Sequence, residues 1–238
     1  MKKLALLGGL LLILLGVVTA GAFKSGPDII RVCPECKAHL TQKTTNSGNT
    51  FGARFWTDGK MVAPMLPDRP WLVKCPKCGS LFWIDEAMEF GKRYPRSKEY
   101  IIEPLVPSET EFLTVLAEEK LPKLKEIYVR CRAWWAANDS VRMNVDATIT
   151  FSPKQEKNLQ ILSDLLDEEN ADQRIMKAEI LRELGKFDEC LRLLAQIFDK
   201  IWQAKEAGFT KVWHANEAAF IIELVEQKSR IVREIKEK

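Results

Sequence analysis

The chain has 238 residues, 46% of them hydrophobic and 29% charged, which is an ordinary globular composition with material for one or two domains and a real core. Its formal charge of +3 includes Lys2 and Lys3, and the remainder splits into +4 over residues 23–106 (13 basic, 9 acidic) and −3 over 107–238 (21 basic, 24 acidic). Neither part carries a basic footprint for a phosphate backbone, so nucleic acid is not an expected partner. Residues 1–22 open with Met1-Lys2-Lys3, continue as an unbroken apolar run from Leu4 to Val18 and close with Thr19-Ala20-Gly21-Ala22. These are the parts of a secretory signal, with cleavage expected after Ala22. The run is also long enough to span a bilayer uncleaved. The lysines favour a cytoplasmic N-terminus with the folded part outside, exported or membrane-anchored; the opposite orientation, a cytoplasmic domain on an anchor, is the alternative.

Next come Cys33-Pro34-Glu35-Cys36 and, further on, Cys75-Pro76-Lys77-Cys78-Gly79. Each pair sets two sulfurs across a tight turn, and two such turns facing each other supply four tetrahedral thiolate ligands. The pairing resembles the zinc ribbon, over Cys33 to about Glu86. The resemblance implies a small β module in which Cys33, Cys36, Cys75 and Cys78 hold a structural Zn2+. Two features depart from the pattern: 38 residues separate Cys36 from Cys75, and Lys37 stands where the first knuckle often has glycine. Disulfides, a redox pair and a rubredoxin-type iron site are the competing readings. Export favours disulfides, whereas the knuckle spacing favours zinc. His39 reads as a surface residue, since four cysteines already complete the shell.

The insertion carries an aromatic run, Asn49 to Lys60, closed by Asp58-Gly59, which predicts a β-hairpin. Trp71-Leu72-Val73 and Leu81-Phe82-Trp83-Ile84 read as strands entering and leaving the second knuckle. Phe51, Phe55, Trp56, Trp71, Phe82 and Trp83 read as the core of a module too small for aliphatics alone. A short helix is expected over Asp85–Lys92, and the prolines at 95, 104 and 107 make residues 93–107 a linker. The module thus covers 23–92 and a helical domain 108–238, an α+β chain.

In the second part Ser108 with Glu111 forms a capping box ahead of Phe112, Leu113, Val115 and Leu116. Pro122 starts a helix through Ile127, Cys131 and Trp134, and Ser152-Pro153 with Gln155 starts another. Asp172 is the expected cap of a helix ending at Leu184-Gly185; one more starts at Phe187, and a last runs from Lys211 to Lys236. The stretch Ala178 to Leu191 is similar to the turn of a tetratricopeptide repeat, with Ala178 at the small position, Gly185 closing the helix, Phe187 packing the turn and Cys190 at the second small position. Arg174 departs from that family's aromatic, and the closing proline is missing. A plain helical bundle fits the periodicity equally well. The repeat resemblance implies a protein or peptide partner on the helical domain.

Catalytic chemistry is poorly supplied. His39 and His214 are the two histidines, and there is no phosphate-binding loop. His214 reads as a surface or capping residue, Asp164, Asp167, Glu168 and Glu169 as a solvated face, and Cys131 and Cys190 as small buried hydrophobes that could pair in an oxidising compartment. The sequence therefore points to a non-enzymatic zinc-binding interaction protein. The rivals are an enzyme or redox protein using the CxxC pairs, and a nucleic-acid-binding ribbon.

Overall fold

The computed structural model describes residues 24–93, 101–118, 120–142, 144, 149–206 and 212–235. The chain is mixed α+β, with small antiparallel sheets first and helices after. Strands β1 (Lys24–Ser25), β2 (Asp28–Val32), β3 (His39–Gln42), β4 (Thr45–Ser47), β5 (Arg54–Trp56), β6 (Met61–Val62), β7 (Leu72–Lys74), β8 (Leu81–Trp83) and β9 (Glu89–Arg93) precede helices α1 (Glu109–Glu118), α2 (Lys123–Arg142), α3 (Pro153–Leu165), α4 (Ala171–Glu183), α5 (Phe187–Glu206) and α6 (Val212–Glu226), and β10 (Glu234–Ile235) comes last. The apolar run expected as signal or anchor lies outside the described residues. Among the described residues no helix is long and apolar enough to cross a membrane.

The expected hairpin forms, with β5 and β6 joined through Asp58 and Gly59 at φ 77°. The two strands around the second knuckle pair as β7 with β8, Leu72 opposite Trp83, Val73 opposite Phe82 and Lys74 opposite Leu81. Side chains alternate between faces of a strand, so this hairpin has two jobs. Val73 and Phe82 pack with Cys33, Leu40, Cys75 and Ile84. Leu72, Leu81 and Trp83 face the other way, into a core shared with Phe112 and Val115 of α1 and Val129 and Ala133 of α2. Polar contacts tie the same seam: Lys74 Nζ donates to Glu111 at 2.6 Å, and the Trp71 amide donates to Tyr128 Oη at 2.8 Å. The β7–β8 hairpin and the first helices therefore share one interior.

Several expectations need correction. Residues 85–92 are not a helix; a 3-10 turn at Ile84–Glu86 gives way to β9, which pairs with β2 across a bulge at Ile30 and Arg31. Gly91 and the aromatic Phe90 suit an edge strand better than a helix. The last helix stops at Glu226, where Lys228 takes a left-handed conformation (φ 51°), and β10 then pairs with β5. Asn170, not Asp172, caps α4, its side chain accepting from the Gln173 amide at 3.1 Å. Of the six aromatics read as ribbon core, Trp56 and Phe82 are buried, whereas Phe51 is 74% exposed and Trp71 lies half-exposed in a stack on Tyr128, with ring centroids 4.6 Å apart. The expected linker lies partly outside the described residues; its described end bridges Ile102 to Leu40 and Leu105 to Lys74.

Two capping boxes form as read. Ser108 Oγ accepts from the Glu111 amide while Glu111 accepts from the Ser108 amide, and Ser152 with Gln155 repeats the arrangement. The Lys74 ammonium and then the Ser108 amide hold the Glu111 carboxyl below its ordinary value. Its contribution is complete above the ordinary carboxylate range and is lost as pH falls through the lowered value. Ser108→Ala is expected to cost about 1 kcal/mol of stability, read from denaturant midpoints; an unchanged midpoint would show that the cap carries nothing. Further on, Ala178, Cys190, Leu193, Leu194, Ala218 and Ile221 fill a core between α4, α5 and α6, with Phe187 packed against it and Gly185 at φ 78°.

Candidate metal centre

The two knuckles are built by the same backbone device. In the first, the Cys33 amide donates to Ala38 O at 2.9 Å and the Lys37 amide to Cys33 O at 3.1 Å. In the second, the Cys75 amide donates to Ser80 O at 2.9 Å and the Gly79 amide to Cys75 O at 2.8 Å. Both turns require a left-handed residue after the second cysteine, supplied by Gly79 (φ 79°) and by Lys37 (φ 59°). Lysine is costlier there than glycine, but the Lys37 ammonium returns to donate to Pro34 O at 2.5 Å. The departure from the glycine pattern thus leaves the turn unchanged.

The turns face each other and bring all four sulfurs within 4.8 Å of one another. Cys33 Sγ lies 3.7 Å from Cys78 Sγ, and Cys36 Sγ lies 3.6 Å from Cys75 Sγ. A tetrahedral ion with metal–sulfur bonds of about 2.3 Å has edges of about 3.8 Å, so the spacing matches a four-thiolate shell. It is far longer than a disulfide bond of about 2.05 Å, and all six cysteines are free.

Electrostatics point the same way. Ser80 Oγ sits 3.1 Å from Cys78 Sγ and 3.4 Å from Cys33 Sγ. Chiefly through that hydroxyl, the Cys78 thiol is pulled down to about 6. The Cys36 sulfur accepts from the Ala38 amide, which favours thiolate, yet burial and the three neighbouring sulfurs push it up to about 11. Four sulfurs this close cannot all ionise without a counter-charge, and a divalent cation supplies one. Cys33 and Cys75 are buried, Cys36 is partly buried and Cys78 is exposed, so the shell is supported by protein on one side.

The centre sits where three elements meet. Leu40 of β3, Val73 of β7 and Phe82 of β8 pack against Cys33 and Cys75. No protein-family model, curated protein or solved structure matches the chain. The geometry therefore carries the reading by itself.

His39 stays out of the cluster; its ring packs at a tilt against exposed Phe90, with centroids 4.2 Å apart. His214 departs from its expected surface position: it is buried, and Nε2 lies 2.7 Å from Asp172 Oδ1. Cys131 and Cys190 are buried in separate cores, and burial pushes each thiol up to about 12, which leaves them unreactive. Cys131 Sγ lies 3.8 Å from Met176 Sδ.

Sequence reading passed over a second constellation, a buried polar network. Asp58, from the hairpin turn, is fully buried and receives two hydrogen bonds from Arg142, at 3.0 and 2.7 Å. Asn138 Nδ2 bridges Asp58 to Glu183, each at 3.1 Å, and Trp134 Nε1 donates to Glu183 at 2.8 Å. Beside it Arg182 forks onto Glu179 at 2.7 and 2.6 Å and reaches Ile231 O at 3.0 Å. No local signal marks these residues, because the partners lie far apart in sequence and each looks like an ordinary helix or turn residue.

Proposed function

We propose that the chain is a non-enzymatic zinc-binding interaction protein, in which a zinc-ribbon-like module braces a tetratricopeptide-like helical array that receives a protein or peptide partner. The observation that carries the metal half is the closed set of four sulfurs with edges of 3.6 and 3.7 Å. Zinc suits four thiolates in a tetrahedron, and with no open ligand position its role is structural. The partner half is supported by analogy to helical repeats and by the scarcity of catalytic groups around the sulfurs. Residues 1–22 fit this reading as a signal or anchor that sets the folded part outside the cytoplasm.

One feature favours a second reading, a reactive CxxC: Cys78 is exposed and its thiol is lowered to about 6. Against it, contacts of 3.6 and 3.7 Å join sulfurs of different knuckles into one four-sulfur set, whereas a redox pair works within its own motif. Metal content and a thiol count on the purified full chain separate the two. The expected result is one zinc per four-cysteine cluster, with those thiols reactive only after denaturation and chelation. A metal-free chain whose Cys75 and Cys78 interconvert between dithiol and disulfide would overturn it.

A further inference from the structure

Away from the sulfurs, the hairpin β5–β6, helices α4 and α6, and β10 line an open cleft of about 210 Å3. Its walls carry Trp56, Ile175, Met176 and Ile235, and two carboxylates, Asp172 and Glu217, stand on them; among the described residues no lysine or arginine lines it. The charged groups around it are already engaged. His214 of α6 bonds Asp172, Arg182 of α4 holds Glu179, Arg54 of β5 pairs with Glu234 of β10, and Arg142 behind Trp56 is locked on Asp58.

This leaves a negative field at Glu217. Burial first, and then Glu179 and Asp172, push its carboxyl up to about 7. Ionising it there is unfavourable unless a cation arrives. In the same wall Trp56 is buried, its indole N–H enclosed and without a hydrogen-bond partner among the described residues. An apolar trough ending in carboxylates fits a long aliphatic stem with a charged head.

We infer that this cleft takes a lysine or arginine side chain of a partner peptide, with Glu217 and Asp172 receiving the cation and Ile175, Met176 and Ile235 covering its stem. The inference rests on the partner-binding reading and names the chemistry of that partner. A cation that requires ionised Glu217 binds more tightly as pH rises. With Glu217 at about 7, affinity should rise about tenfold from about pH 6 to about pH 8.

The test titrates the full chain, methyl-labelled at methionine, with Nα-acetyl-lysine N-methylamide and its arginine counterpart, using the norleucine analogue as the uncharged control. The expected result is a saturable shift of the Met176 methyl with the basic compounds only, weakened about tenfold or more by Glu217→Gln and also weakened by Asp172→Asn. Equal binding of the norleucine compound, absence of a saturable shift, or indifference to both substitutions overturns the inference. The two readings fail separately. If a captured protein partner is insensitive to Glu217→Gln, partner binding stands and the basic-side-chain cleft falls. If the lysine compound binds and no protein partner engages the chain, the cleft stands without the larger role.

Discussion

Cys75→Ser, or chelation of the metal from the full chain, is expected to unfold the sheets around the knuckles and to loosen α1 with them. Structural zinc contributes on the order of 10 kcal/mol to the folding of small modules. The apolar cluster around Cys33 and Cys75 is small, centred on Leu40, Val73, Phe82 and Ile84, and a core of this size is marginal without a staple. A module standing alone would confine the damage to itself. Here Leu72, Leu81 and Trp83 pack against helices α1 and α2, so losing β7 and β8 uncovers Phe112 and Val115. The core of α4, α5 and α6 makes no use of that hairpin and should hold. Hydrogen exchange reads this directly: β2, β3, β7, β8 and α1 lose protection while α4 and α6 keep it. Unchanged protection in β7 and β8 after complete metal removal would remove the structural role of the ion.

Arg142→Met is expected to destabilise the chain by about 3–5 kcal/mol, because it strands Asp58 as a buried, unpaired charge. The two form a fork-to-carboxylate pair whose side chains are 5% and 0% exposed, and Asp58 has one further side-chain partner, Asn138. Asp58→Ala should cost a comparable amount by isolating the guanidinium. Combining both changes should recover much of the loss, since a neutral pair leaves no charge to desolvate. Urea denaturation of the four proteins gives the coupling; simple additivity would show the pair to be energetically independent.

Glu183 adds a pH term of the opposite sign to that of Glu111. Burial, and then Glu179 and Asp58, drive its carboxyl well above the ordinary range. The folded state therefore holds that proton more tightly than the unfolded one. Stability from this group is full below the ordinary carboxylate value and declines as pH rises toward the raised folded value. Glu183→Gln should flatten that decline while keeping the acceptor for Trp134.

The sulfur cluster was legible because its chemistry is local: two CxxC turns need no distant information to define a four-sulfur set. Helix starts were legible for the same reason, as Ser108 with Glu111 and Ser152 with Gln155 show. Errors fell where tertiary pairing decides. Residues 85–92 have enough good helix formers to suggest a helix, yet β2 offers them a ladder, and Glu89 to Arg93 extend along it. The last helix ends without a glycine, since Lys228 takes the left-handed position itself, so its boundary carried no marker. The network of Asp58, Asn138, Arg142 and Glu183 was invisible because burial of polar residues has no sequence pattern. The tetratricopeptide-like turn keeps its small and aromatic positions in a packed core, but these residues serve a generic helical hairpin equally well.

The pairing of β10 with β5 bears on how the chain comes off the ribosome. Arg54 and Glu234, which form a two-point ion pair across that ladder, are 180 residues apart. During synthesis β5 and β6 emerge early as a two-stranded hairpin, marginal by itself, and its open edge must wait until all six described helices have been made. Closing so long a loop is entropically costly and slow. Throughout that interval the edge of β5 is free to pair with any extended segment nearby, so the nascent protein is most exposed to misassembly and chaperone capture at Arg54 to Trp56.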